Sequence, residues 1–316
     1  MNEQDIQEDV VNARQEEWPA WLSGLRAKLT AYVQADIDAR LYLLVDTRGY
    51  QNLHERLANE TRLRHVSLWK GIELEEYPEI SPYLIEFDPH VLFGNDEAGL
   101  RMLEQLWCEA VDLYALTWIW SPFSIEQVDA HLRRYVMYEL PNGRAYYLFF
   151  FDNHVLPRLR QVWSEKQARE FIGPFVEMGY RTRRLEEATW RNELPPTLTR
   201  TVSPLSAEQH DGLLQLGYAD KLALKFRVTM GTSLDHLSDI ELYEQTLEQL
   251  ERSGRYRITG DESLSAYVMT GLLIGPRFDE HPAVQAQLAA VMRKEMDAAQ
   301  AFEAIDDATW DEIRAG

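Results

Sequence analysis

The chain has 316 residues, of which 45% are hydrophobic and 27% charged, values typical of a folded globular protein with room for two domains. Its 52 acidic and 32 basic residues give a formal net charge of −20, which argues against binding to nucleic acid or to anionic membranes because these also carry negative charge. The acidic N-terminus shows no signal-peptide pattern, and no apolar run approaches the ~18 residues of a membrane span. We therefore expect a cytoplasmic protein.

The aromatic content and the single cysteine further restrict the class of protein. Nine Trp, fifteen Tyr and eleven Phe favour well-filled cores, an aromatic-rich interface, or both. Cys108 is the one cysteine of the sequence, so an internal disulfide is impossible. Its apolar neighbours in L-E-Q-L-W-C-E-A-V indicate a buried core thiol rather than a nucleophile.

The chain begins with a predicted helical segment over residues 1–38. It is marked by apolar side chains at three- and four-residue spacings, namely Trp18, Trp21, Leu22, Leu25 and Leu29. An α/β lobe is predicted over residues 39–180. Its four short apolar or aromatic runs predict strands at 41–45, 65–69, 83–87 and 114–120. Helices are predicted between them at 50–60 and 96–110.

A helix and a hairpin are predicted over residues 124–151. Ser124 followed by Gln127 forms a capping-box pattern, which marks a helix start. Two β-prone runs, 135–140 and 145–151, flank Pro141-Asn142-Gly143, and Asn and Gly tolerate the positive φ of a hairpin turn. Because strands alternate with helices, we expect an α/β (α+β) fold with a mixed, mostly parallel sheet, flanking helices and this terminal β-hairpin.

The last third of the chain has a different character. Residues 181–205 are rich in basic residues, proline and threonine and show no periodicity, so they predict a linker. Residues 206–316 predict an all-helical C-terminal lobe. Its helices are expected over about 207–230, 239–253, 262–273 and 282–304.

No strong catalytic or metal-binding motif is present in the sequence. None of the eight histidines lies in H-E-x-x-H, no Cys/His spacing suits zinc, and no phosphate-binding glycine loop occurs. The segment 231–235 resembles a nucleophile elbow but lacks its second glycine. We therefore predict no catalytic residue, no metal and no cofactor. One alternative stays open, a hydrolase using Asp46, Asp88 or His154 at the sheet edge, where α/β ligand sites often lie.

The strand L-Y-A-L-T-W-I-W places Leu116, Trp118 and Trp120 on one face. Core packing is the default interpretation for such a face. If it is left uncovered, these side chains form a partner-binding patch.

Several motifs occur in a fixed order between about residue 41 and residue 174. They are Y-L-L-V-D-T-R-G, S-L-W-K-G-I, S-P-Y-L-I-E-F-D, W-x-W-S-P-F-S, H-L-R-R-Y-V-M-Y-E-L-P-N-G-R, F-F-F-D-N-H-V-L and F-I-G-P. In their order and spacing the chain resembles the domain-of-unknown-function family 4123, the type VI secretion effector chaperones or adaptors. The tail A-Y-V-M-T-G-L-L-I-G-P-R-F-D-E-H-P is similar to that of the longer family members.

Two departures from the family pattern stand out. The second hairpin strand usually carries Arg-aromatic-aromatic-Asp-Pro-Arg, where this chain has Phe149 to His154. The strand before Ser121 often starts with Trp-Gly, which is replaced here by Leu113-Tyr114-Ala115. These departures argue against an arginine-mediated contact at the hairpin, but not against the fold.

The resemblance implies a non-catalytic role in the cytoplasm. Such a protein binds a toxic effector protein and helps load it onto a VgrG or PAAR spike protein. Candidate partner-binding residues are Trp118, Trp120, Phe149, Phe151 and His154. A third hypothesis is an immunity-type inhibitor, since an acidic protein can be steered to a basic toxin by charge.

Overall fold

The computed structural model describes residues 3–49, 52–60, 62–94, 96–110, 114–199 and 201–315. The predictions that extend to residues 1–2, 50–51 and 113 lie in part outside the described residues. The chain divides into two compact units, Met1–Leu213 and Leu214–Gly316. No helix among the described residues combines the length and the apolar character that crossing a membrane requires.

The first unit holds all the strands of the described chain. They are β1 (Arg40–Val45), β2 (Arg64–Ser67), β3 (Tyr83–Phe87), β4 (Leu116–Ser121), β5 (Met137–Glu139), β6 (Ala145–Tyr147), β7 (Glu177–Arg181) and β8 (Glu187–Arg191). Its helices are α1 (Glu3–Gln34), α2 (Leu53–Asn59), α3 (Pro89–Leu92), α4 (Glu97–Ala110), α5 (Ile125–Leu132), α6 (Leu156–Val162) and α7 (Glu165–Ile172). The boundary between the units falls within α8 (Ala207–Met230).

The main sheet has six strands in the order β2-β3-β1-β4-β7-β8, and every neighbouring pair is antiparallel. The prediction of a mostly parallel sheet is therefore wrong. Strands β1 and β2, joined through α2, do run in the same direction, as do β3 and β4, but a third strand lies between the members of each pair. The alternation of strands and helices predicted the direction of these two pairs but not their neighbours, and β2 and β3, which also follow each other in the chain, are antiparallel.

Both faces of the sheet are covered, because its central strands are apolar on both sides. In β1 the side chains of Leu41, Leu43 and Val45 enter one core, with α1, α2, α3 and α4, while Tyr42 and Leu44 enter the other. The second core is completed by α5, α6, α7 and the segment that follows the hairpin. This double burial explains why the strand reads as a continuous apolar run.

The tryptophans of β4 belong to the first core. Trp118 meets Trp21 of α1 edge-on at 5.7 Å between ring centroids and Trp107 of α4 at 6.0 Å. Trp120 meets Tyr32 at 5.4 Å. Trp118 and Trp120 are buried, so the patch predicted for a partner is covered by α1 and α4, and these two side chains offer it no surface.

The helix start at Ser124 and the hairpin turn are confirmed. The Ser124 backbone N–H donates to Gln127 Oε1 at 3.0 Å, completing a capping box at the start of α5. Gly143 has φ of 80° in the turn between β5 and β6, a value that glycine adopts without strain. The two strands are shorter than predicted and form a separate two-stranded sheet.

The segment predicted to be a linker is part of the first unit. It contains β8, and its extended remainder is held by side chains. Glu170 accepts hydrogen bonds from the Ser203 backbone N–H (2.8 Å) and hydroxyl (3.0 Å). Arg134 donates to the Thr199 carbonyl at 2.6 Å. Thr197 N–H also donates to the Gly173 carbonyl at 2.7 Å. The sequence shows no periodicity here because, outside β8, isolated hydrogen bonds rather than a helix or a strand ladder fix the segment.

The second unit is helical, as predicted. After α8 it contains α9 (Asp239–Ser253), α10 (Asp261–Ile274), α11 (Pro282–Met292), α12 (Ala298–Glu303) and α13 (Asp307–Ala315). Two clusters of buried apolar side chains fill it. One is built around Tyr267, Phe278 and Phe302, and the other around Leu222, Phe226 and Val268.

A glycine in β7 makes room for a core tryptophan. A Cβ added to Gly179 would lie 2.0 Å from Nε1 of Trp118, which is paired with it across the strands. Because Trp118 is enclosed by other rings, we expect Gly179→Ala to lower the free energy of unfolding by about 1–3 kcal/mol, measured by urea denaturation. Gly254→Ala is the matched control, since a Cβ there meets nothing within 4 Å. Equal effects of the two substitutions would contradict this packing.

Candidate functional site

Two motifs of the sequence meet at one end of the main sheet. The loop after β1 and the segment after the hairpin both reach the start of β4, where Asp46 N–H donates to the Ala115 carbonyl (2.8 Å) and Asn153 N–H to the Tyr114 carbonyl (3.1 Å). D-T-R-G and F-F-F-D-N-H are therefore neighbours in space although about a hundred residues separate them in the chain.

Arg48 lies at the centre of this end of the sheet. Its guanidinium donates from Nε to both carboxylate oxygens of Asp46 (2.9 and 3.0 Å), and Nη2 makes a second ion pair with Asp46. Nη2 also contacts Oδ2 of Asp152 at 3.0 Å. Two carboxylates from distant parts of the chain thus share one arginine, and this planar, doubly held geometry suits arginine better than lysine.

Two aromatic rings complete the surroundings of the guanidinium. Its carbon lies 4.8 Å from the ring centre of Phe149 and 5.5 Å from that of Phe151, both within cation–π range. Partial burial opposes the charge of Arg48, but its hydrogen bonds to Asp46 and Asp152 and the charges of these two carboxylates together outweigh this effect and raise the pKa of Arg48 above its ordinary value. We call Asp46, Arg48, Phe149, Asp152 and His154 the Arg48 cluster.

A buried asparagine holds the second half of the cluster in place. Asn153 Nδ2 donates to the Leu116 carbonyl at 2.9 Å, and its Oδ1 accepts from the Thr117 hydroxyl at 2.8 Å. Both Asn153 and Thr117 are buried. The turn that carries Phe149 to His154 is thereby fixed to the start of β4.

Asp152 links the arginine to a histidine. Its Oδ1 accepts from the backbone N–H of His154 at 2.8 Å and lies 3.1 Å from Nδ1 of the same residue. Burial alone would raise the pKa of Asp152, but the hydrogen bonds from His154 and the charges of His154 and Arg48 hold that pKa below its usual range. The His154 ring packs 4.4 Å from that of Tyr114.

The structure separates the predicted site residues into two groups. Phe149 and His154 lie together in the Arg48 cluster and are partly exposed. Phe151 packs against the guanidinium of Arg48 but is buried. Like Trp118 and Trp120, it therefore offers a partner no surface. Arg48 and Asp152 were missed. The available signal was the departure at Phe149, where the resemblance implies an arginine: here the guanidinium of Arg48 reaches this ring from the D-T-R-G loop.

Of the residues named for the alternative hydrolase, Asp46 and His154 lie in the Arg48 cluster, but Asp88 does not join them. Asp46 follows the last residue of β1, while Asp88 follows the last residue of β3, and these strands are antiparallel, with Leu41 opposite Phe87. The two carboxylates therefore lie at opposite ends of the sheet, about 20 Å apart at ~3.4 Å per residue. A parallel sheet would have placed them at one edge. Within the part of the chain that the structure describes, no group of three or more His, Cys, Asp or Glu side chains could hold a metal ion.

Removing the central guanidinium should loosen this end of the sheet. The Asp46 side chain is only 7% exposed, so without Arg48 its carboxylate stays buried and loses a charged partner. We expect Arg48→Ala to lower the free energy of unfolding by about 1.5–3 kcal/mol, the range for hydrogen bonds to charged groups, as measured by urea denaturation. Arg101→Ala, which removes an exposed ion pair to Glu97, should cost about 0–0.5 kcal/mol. An Arg48→Ala variant that is as stable as the wild type would contradict the role of Arg48 as the partner that stabilises the buried Asp46.

The comparisons with known proteins bear on the segment that contains this cluster. Neither the curated proteins nor the solved structures yielded a match to the chain. Residues 41–170 match a family model, and this range covers β1 to the greater part of α7, including every member of the Arg48 cluster. The match supports assigning this segment to the family described as "Domain of unknown function (DUF4123)".

Proposed function

We propose that this chain is a non-catalytic chaperone or adaptor that binds a cognate type VI secretion effector and helps load it onto a VgrG or PAAR spike protein. The observation that carries the proposal is the match of residues 41–170 to the family to which the ordered sequence motifs pointed. Effector binding and loading, in the cytoplasm, are what that resemblance implies.

The Arg48 cluster is the surface that we propose for effector binding. Arginine and aromatic side chains are enriched at the energetic centres of protein interfaces, and here they come with a fixed geometry. Arg48, Phe149 and His154 are all partly exposed, while Asp46 and Asp152 hold the guanidinium in one orientation. A surface organised before binding loses little conformational entropy when a partner docks.

Co-expression with the products of the neighbouring genes tests this function. A tagged form of the full chain should co-purify with an effector or with a spike protein at mild salt. If neither protein associates with it, the adaptor proposal is overturned.

A second experiment tests the binding surface separately. Phe149→Asp places a carboxylate beside Asp46 and Asp152 and should abolish the pull-down. Tyr77→Asp, at an exposed aromatic side chain outside the cluster, should leave it unchanged. Each variant is first compared with the wild type by thermal melting, so that loss of binding is not loss of fold. A folded Phe149→Asp variant that still binds the effector would remove the cluster from the interface and leave the adaptor role standing.

A further inference from the structure

β8 forms one edge of the main sheet. β8 is the last strand in the sheet order and pairs only with β7 among the described residues. The hydrogen bonds from Thr182 N–H to the Glu186 carbonyl and from Asn192 N–H to the Val176 carbonyl flank this ladder. Because paired residues alternate in an antiparallel ladder, the backbone groups of Glu187, Thr189 and Arg191 point away from β7.

The side chains along this edge are exposed and carry opposite charges at its two ends. Glu187, Thr189 and Arg191 are all exposed, whereas Trp190 is buried on the other face. Sheet edges that must stay single are often protected by charges, which repel a strand of like charge. Two copies of such an edge repel each other when they run parallel, because like charges meet. They attract each other when they run antiparallel, because the acid of one copy meets the base of the other.

We propose that β8 pairs with β8 of a second copy of this chain, antiparallel about a two-fold axis at Thr189. In this register Glu187 lies opposite Arg191 of the second copy, twice by symmetry, and Thr189 lies opposite its own equivalent. Opposite-charge and Thr–Thr pairs both stabilise neighbouring strands. The outward backbone groups of each strand then face those of the other, and such a two-fold contact is closed and self-complementary.

The layer of α1 leaves room for this arrangement. α1 lies over β7, where Lys28 pairs with Glu177 and Glu17 with Arg181. In a continuous sheet the two copies of β7 would be three strand spacings apart, about 14 Å. Packed helices need about 8–10 Å between their axes, so the two α1 helices would lie side by side without collision.

The net charge of the chain opposes self-association at long range. Each copy carries −20, and this repulsion is strongest at low ionic strength. At physiological salt the screening length is about 8 Å, which weakens repulsion between distant charges more than attraction between charges in contact. The dimer should therefore be stronger at physiological than at low salt.

The mass of the full chain in solution tests the proposal. Light scattering after size exclusion, between about 1 µM and about 1 mM, should show a shift from the 36.8 kDa chain toward twice that mass. Thr189→Pro removes an outward N–H without touching the β7 ladder and should give a monomer with unchanged circular dichroism. Glu187→Lys places Lys opposite Arg191 and should weaken the dimer at least tenfold, while Glu193→Lys, the same charge change beyond the strand, should not.

A cysteine crosslink tests the register. In a hydrogen-bonded pair the two Cα atoms at position 189 lie about 5.5 Å apart, within the range that a disulfide bridges. Thr189→Cys should form a covalent dimer on mild oxidation, with little background because Cys108 is buried. Glu193→Cys should not. A wild-type monomer at every concentration, or a dimer that survives Thr189→Pro, would overturn the proposal. If Thr189→Pro abolishes effector binding but leaves the molecular mass unchanged, the edge pairs with a strand of the effector instead, and the second copy is excluded.

Discussion

Replacing Asp279 with alanine is expected to lower the free energy of unfolding of the second unit by about 3–5 kcal/mol, the range for breaking a buried ion pair. Asp279 is fully buried and pairs with Arg252, whose side chain is 9% exposed. Its other oxygen accepts the hydroxyl of Tyr267 at 2.8 Å. In the alanine variant Arg252 keeps its ion pair with the half-exposed Glu280, but Tyr267 loses Asp279 as its acceptor.

Glu280→Ala is the matched control for this substitution. Glu280 lies 2.9 Å from the same Nη2 of Arg252, but its side chain is 52% exposed, so its loss should cost about 0–1 kcal/mol. Urea denaturation of the full chain measures both variants, and hydrogen exchange in α9 and α10 locates the loss. If Asp279→Ala and Glu280→Ala are equally stable, the buried pair is not what holds these helices together.

Acidification between pH 6.5 and pH 4 is expected to destabilise the first unit through His131. Its Nδ1 lies 2.8 Å from Arg134 and its Nε2 2.9 Å from the Phe171 carbonyl, so Arg134 donates to Nδ1 and Nε2–H donates to the carbonyl. Burial, followed by the charge of Arg134, lowers the pKa of His131 to about 4 although the hydrogen bond to Phe171 opposes this. The folded state therefore keeps this imidazole neutral.

The direction of the effect follows from the two pKa values. The unfolded chain, with an ordinary histidine pKa of about 6.5, takes up a proton that the folded chain refuses until about pH 4. Stability is fully present above pH 6.5 and is lost as the pH falls, by about 2 kcal/mol between pH 7 and pH 5 and by about 3 kcal/mol at pH 4.

His131→Gln separates this effect from the titration of carboxylates. Glutamine offers both an acceptor and a donor but does not titrate. Urea denaturation at pH 7 and pH 5 should show that the wild type loses about 2 kcal/mol more than the variant. Parallel losses in the two proteins would show that His131 is not the titrating group. The same histidine is joined through Arg134 to the Thr199 carbonyl, so acid should also release the extended segment from the first unit.

Local signals in the sequence predicted the elements whose hydrogen bonds are local. The capping box at Ser124 needs only residues three positions apart, and the turn at Gly143 needs only a residue that tolerates positive φ. The helices of the second unit likewise follow from apolar spacing and caps. By contrast, β7 and β8 were missed because E-M-G-Y-R and E-A-T-W-R contain charges and a glycine, and they become strands only by pairing with β4 and with each other.

By itself the sequence determined two features of this protein, where its central strands are buried and which segments match a known family. Both depend on the order and polarity of residues along the chain. The tertiary structure alone decided that the sheet is antiparallel, that Trp118 and Trp120 are core residues, and that Arg48 bridges Asp46 and Asp152. Each of these depends on which distant segments become neighbours, and a pattern of residues along one chain constrains that choice only weakly.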